Sequence, residues 1–139
     1  MNEYKFSDIS IGLSEEFEVS ISKNHLDMFR VITGDLNPLH FDDDFAKSKG
    51  YKEKVVFGML TASFMSTLAG VYLPGKYSLI HNVDIQFSKP VYIGDILTVT
   101  GTVTEINELF NIMFVKVTIT NQNGVNVSKG KMQIGILDD

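Results

Sequence analysis

The sequence predicts an α+β domain in which one long central helix is wrapped by a curved antiparallel sheet. Three observations carry this. "GMLTASFMSTLAGVY", Gly58 to Tyr72, is apolar or small on nearly every face, the mark of a helix buried all round. Beyond it, "ILTVTGTVTEIN" and "FNIMFVKVTITNQ" alternate and are rich in Val, Ile and Thr, as half-buried strands are. Asn123-Gly124 then separates the last two strand-like runs, a strong hairpin signal.

In chain order, "FEVSIS" sets Phe17, Val19 and Ile21 against Glu18, Ser20 and Ser22, which predicts a strand over 17–22. The period then changes. Leu26, Phe29 and Ile32 or Thr33 fall three to four apart, as on one helix face, with Ser22 as N-cap and Gly34 at the C-terminal glycine position. Asp42 to Ser48 predicts a short second helix capped by an aspartate. "YKEKVVF" connects it to the buried helix, and "LPGK" stops that helix. "SLIHNVDIQFSKPV", the turn "YIGD", the two alternating runs and "VNVSKGKMQIGI" complete the sheet. One sheet round one helix leaves edge strands, so a homodimer is expected, its two sheets joined or packed side by side.

Composition bounds the function. At 139 residues the chain is expected to be a single domain, 1–139, long enough to bury a core without staples. It has no cysteine, which removes disulfides, thiolate metal sites and cysteine nucleophiles. A net charge of -5 argues against nucleic acid as the main partner. No signal-type run and no apolar stretch of membrane-spanning length occurs, so no membrane partner and a cytoplasmic location are expected.

Chemistry concentrates in "GDLNPLHFDDD", Gly34 to Asp44. One reading is a polar turn leading into a helix cap, since Asp and Asn beside Pro favour turns and acids favour a helix start. The other is an acid/base pair. On a continuous helix Asp35 and His40 would lie about 140° apart. Gly34 and Pro38 make the chain turn instead, and a turn can bring carboxylate and imidazole to one water. Downstream, Gly58 opens the buried helix. First-turn N–H groups lack internal partners, and a glycine lets a carbonyl oxygen approach them, so Gly58 is either an oxyanion hole or the start of a tightly packed helix.

"FRVITGDLNPLH", "VVFGMLTASFMS" and "PVYIGD" together resemble the MaoC-like, (R)-specific enoyl-CoA hydratase family, over about Phe17 to Ile136. The resemblance implies the hot-dog fold, a long helix wrapped by an antiparallel sheet. It implies reversible syn addition of water to a trans-2-enoyl-CoA, giving an (R)-3-hydroxyacyl-CoA, and hence equally a 3-hydroxyacyl-CoA dehydratase. Carried across by position, Asp35 and His40 become the catalytic dyad, with Asp35 as base and His40 as proton donor. Asn37 supports the loop, the Gly58 N–H holds the thioester oxygen, and Ser66 matches a serine near the catalytic loop or the thioester. The carrier is CoA or an acyl carrier protein, and the chemistry needs neither cofactor nor metal. The resemblance departs at one position. The family often has histidine before this glycine, where this chain has Phe57. That change keeps the Gly58 N–H, loses a side-chain hydrogen bond, and is expected to leave Asp35 and His40 untouched.

Other residues carry less. Lys47, Lys49, Lys52 and Lys54 form a solvated run that is one candidate for CoA phosphates. His25 and His81 lie in no motif, and no second histidine stands at ligand spacing from His40. Two rival functions remain. A hot-dog thioesterase also wants a carboxylate, a water and a helix N-terminus. A non-catalytic acyl-CoA-binding module draws its only support from Phe57.

Overall fold

The structure, a computed structural model, describes residues 1–138. Five strands form one antiparallel sheet, ordered β1-β3-β4-β5-β2. They are β1 (Ser14–Ser20), β2 (Ser78–Phe87), β3 (Ile96–Asn107), β4 (Ile112–Thr120) and β5 (Asn126–Ile136). The helices are α1 (Lys23–Thr33), α2 (Asp43–Ser48) and α3 (Gly58–Thr67), the last continued by a π-helical turn, Leu68–Tyr72.

β3 and β4 bury alternate residues, as their alternation predicts. Leu97, Val99 and Val103 from β3 meet Met113, Val115, Val117 and Ile119 from β4 in one core. Leu60, Met65 and Leu68 of the central helix close it. Contact there is tight enough to dictate a residue. A Cβ at Gly101 of β3 would lie 2.7 Å from Leu68 Cδ2 and 3.0 Å from Val115 Cγ1. The missing side chain at Gly101 is what lets the helix sit down on the sheet.

Three sequence expectations shift. β1 begins three residues earlier than expected and stops at Ser20. Ile21 is buried just beyond it, and its backbone still pairs, accepting from Gly94 N (2.8 Å) and donating to Asp95 O (2.9 Å). The Asn123-Gly124 turn becomes a longer loop. Gly124 N–H donates to Asn121 O (3.0 Å) with Gly124 at φ 72°, and Asn121 Oδ1 accepts from Asn123 N and Val125 N. The central helix is not covered all round. Met59 is 64% exposed, and Ser63 and Ser66 share its open side.

The first helix is bounded as its sequence predicts. Ser22 Oγ accepts from His25 N, and His25 Nδ1 accepts in return from Ser22 N (3.0 Å). Gly34 is left-handed at φ 69°, which a side chain would oppose, and its N–H closes on Arg30 O (2.8 Å). No helix among the described residues is long and apolar enough to cross a membrane.

Candidate active site

The loop after Gly34 is a chain of short side-chain turns. Asp35 N–H donates to Thr33 Oγ1 (3.2 Å), and Asp35 Oδ1 accepts from Asn37 N (2.9 Å). Asn37 Oδ1 accepts from Leu39 N (3.1 Å), capping a 3-10 turn over Pro38–His40. Asn37 therefore holds the loop, by the local hydrogen bonding that makes Asp and Asn turn formers. Asp42 Oδ1 caps α2 by accepting from Phe45 N (3.0 Å).

His40 is held from two sides. Its Nδ1 lies 2.7 Å from Val55 O, and the Val55 N–H returns to Leu39 O (2.9 Å). A carbonyl oxygen only accepts, so Nδ1 carries a proton and Nε2 is left to exchange one. The ring stacks on Phe57, with centroids 4.2 Å apart and planes at 28°. Phe57 in turn packs on Phe29 of α1 at 5.1 Å. This corrects one expectation. Phe57 was expected to leave His40 untouched, yet its ring is the surface on which the imidazole rests. The cause is position: the residue before Gly58 is buried directly behind the loop.

Gly58 begins α3, and no side chain caps that helix. A Cβ at Gly58 would meet the Phe87 ring at 3.2–3.4 Å. His40 and Gly58 share one cavity of about 340 Å³, walled by Tyr51, Val55, Val56, Phe87 and Val91 among others. So an imidazole and an uncapped helix N-terminus face the same space. Asp35 is exposed and, with Asn37, is not part of that wall. No hydrogen bond joins Asp35 to His40 among the described residues; Asp35 Oδ1 is engaged by the Asn37 N–H instead. Ser66 is exposed and off the wall as well, about 80° round the helix from Gly58.

Two cavity residues escaped sequence reasoning. Thr61 is 1% exposed and lines the cavity one turn after Gly58. Its Oγ1 is buried without a hydrogen-bond partner, at a cost of about 1–3 kcal/mol for such a group. Ser128 of β5 is 2% exposed and lines the same space. A hydroxyl residue three positions after the glycine, about one turn along the same helix, was the available signal for Thr61.

Several of the remaining candidates are engaged in local structure. Lys49 lies over Phe45 (5.2 Å) and Lys52 over Tyr92 (4.5 Å). His81 Nδ1 is 3.3 Å from Gln133 Nε2. Asp95, the acid of "YIGD", is buried, accepting from Tyr92 N and Gln122 Nε2 (both 2.9 Å) and so pinning that turn to the end of β4.

One antiparallel sheet wrapped round a helix whose N-terminus faces a loop histidine is the arrangement of a hot-dog protein, and the relatives are hydratases. The model of the MaoC like domain matches residues 8–125, and the chain belongs to that family. It is 37% identical over 99 residues to the "(R)-specific enoyl-CoA hydratase" of Rhodospirillum rubrum, covering 71% of this chain and 69% of that one. To the enzyme of the same name from Aeromonas caviae it is 36% identical over 103 residues, covering 74% and 77%. Among solved structures, the unliganded R-hydratase of Pseudomonas aeruginosa superposes with a TM-score of 0.90 at 28% identity, covering 97% of this chain and 86% of that one. The A. caviae (R)-hydratase superposes at 0.88 with 30% identity, covering 92% and 97%.

Proposed function

We propose that this protein is an (R)-specific enoyl-CoA hydratase, equally a 3-hydroxyacyl-CoA dehydratase, working through Asp35 and His40. The observation that carries the reading is the shared cavity, where His40 and the open N-terminus of α3 meet.

Hydration follows from these groups. The Gly58 N–H receives the thioester oxygen, where negative charge grows as the β-carbon is attacked. Asp35 takes one proton from a water whose oxygen bonds to that carbon. The Nε2–H of the His40 imidazolium then gives a proton to the α-carbon on the same face, and the enolate collapses back to the thioester. A proton passed from Asp35 to His40 through water resets the pair. In dehydration the roles reverse. Nε2 takes the α-proton and the Asp35 acid protonates the departing hydroxyl. The Val55 carbonyl keeps Nε2 as the exchanging nitrogen in both directions. Asn37 stiffens the loop, and Ser66 is assigned a supporting contact near the loop or the thioester. The carrier is CoA, or an acyl carrier protein.

A homodimer fits the open surfaces. Met28, Val31 and Ile32 form an exposed apolar stripe on α1, and Leu36 follows it on the loop. Edge strand β2 exposes Leu79, Val83 and Phe87. On the bare side of the central helix Met59 adds a large exposed apolar side chain. A second copy covering these faces would enclose the loop of Asp35.

The test is an assay with crotonyl-CoA that reads enoyl absorbance and free thiol together. Loss of absorbance without thiol is expected. Thiol release would make the protein a thioesterase, and binding without either change a non-catalytic module.

A further inference from the structure

The cavity wall contains a polar group that the hydration chemistry leaves unused. Thr61 lines the wall that His40 and Gly58 share, and its Oγ1 is buried without a hydrogen-bond partner. Gly58 and Thr61 are three residues apart, so the Thr61 Cα lies about 4.5 Å further along the helix axis than that of the glycine, with its side chain leaning back toward the N-terminus. Ser128 adds a second buried hydroxyl residue to the same wall, and Lys89 brings a cation to it.

A thioester bound at Gly58 sends two arms away from its carbonyl. Beyond the β-carbon, where water adds, the acyl arm is a hydrocarbon chain and offers a hydroxyl nothing. The carrier arm has an amide a two-carbon link beyond the sulfur, flanked by methylenes. Apolar walls at Val56, Phe87 and Val91 suit the methylenes, and an unpaired hydroxyl suits the amide. We propose that Thr61 is a substrate-binding residue whose hydroxyl pairs with the first amide of the pantetheine arm, so that this cavity takes the carrier side of the thioester. The proposal rests on the hydratase reading above. It assigns Thr61 to affinity for the carrier, separate from the proton transfers at His40.

Deleting the contact from both sides tests it. Wild type, Thr61→Val and Thr61→Ser are assayed with two crotonyl thioesters. One is made with N-acetylcysteamine, which keeps the amide. The other is the S-pentyl thioester, in which carbons replace it. Thr61→Val should lower kcat/KM for the first about tenfold, chiefly through KM, and leave the second within about twofold. Thr61→Ser should keep both. Equal losses on both thioesters, or none on either, would overturn the proposal. Thr61→Ala, expected to show the same pattern, decides the matter where the valine variant folds poorly. Wild type that hydrates neither thioester leaves the proposal to calorimetry, and the hydratase reading falls only where crotonyl-CoA is not hydrated either. Calorimetric binding of butyryl-CoA would then decide: about tenfold weaker binding to Thr61→Val keeps the carrier subsite, and equal binding removes it.

Discussion

His40 stacks on Phe57 with ring centroids 4.2 Å apart and planes at 28°. With Nδ1 on Val55 O, that contact holds the imidazole from two sides, which we propose keeps Nε2 aimed at the substrate. Phe57→Leu keeps the burial and loses the stacking surface. It is expected to lower kcat about tenfold with little change in KM, since misplaced acid/base groups cost turnover before binding. Steady-state kinetics on crotonyl-CoA, with a melting curve to show the fold intact, checks this.

Gly58 gives a second expectation. A methyl there would press on the Phe87 ring from 3.2 Å while leaving the backbone N–H in place. Gly58→Ala should therefore cut kcat/KM by about 10- to 100-fold by blocking close approach of the thioester oxygen. Adding Phe87→Leu, which gives the methyl room, should recover part of the loss. A double-mutant cycle measures the coupling.

The fold has its own test at Gly101. A Cβ there would lie 2.7 Å from Leu68 Cδ2, so Gly101→Ala should overpack the helix–sheet seam and cost about 1–3 kcal/mol. Combining it with Leu68→Ala should cost less than the sum of the two single changes. Urea denaturation reads both.

Assembly is checked by charge. Val31 and Ile32 are 84% and 79% exposed on the outer stripe of α1. Sedimentation of the wild type should give a dimer. Val31→Glu with Ile32→Glu should give a monomer that keeps its secondary structure, because a charge pressed into an apolar interface has no partner.

Much of this was legible in the letters. Gly34, Asn37-Pro38 and Asp42 are local instructions, and the caps and turns they specify form without help from distant residues. The alternation of Leu97, Val99 and Val103 likewise marks a strand whatever lies across from it. Long-range pairing was not legible. That Ile21 keeps pairing with Gly94 and Asp95 after β1 ends, or that Gly101 makes room for Leu68, depends on segments far apart in the chain. The site divides the same way. His40 and Gly58 were found by motif and meet in one cavity. The support of His40 by Phe57 and the unpaired hydroxyl of Thr61 arise only when α3 is laid behind the loop. The open side of α3 at Met59, which we propose a second copy covers, was not legible either, because one chain's periodicity does not encode a partner.

The central claim is that Asp35 and His40 add water to an enoyl thioester. It is tested most directly by incubating wild type, Asp35→Asn and His40→Gln with crotonyl-CoA while recording enoyl absorbance and free thiol. Wild type should consume the enoyl group and release no thiol. Each variant should be slower by about 100-fold or more while keeping the wild-type melting temperature within a few degrees. Full hydratase activity in either variant, or thiol release by the wild type, would contradict the claim.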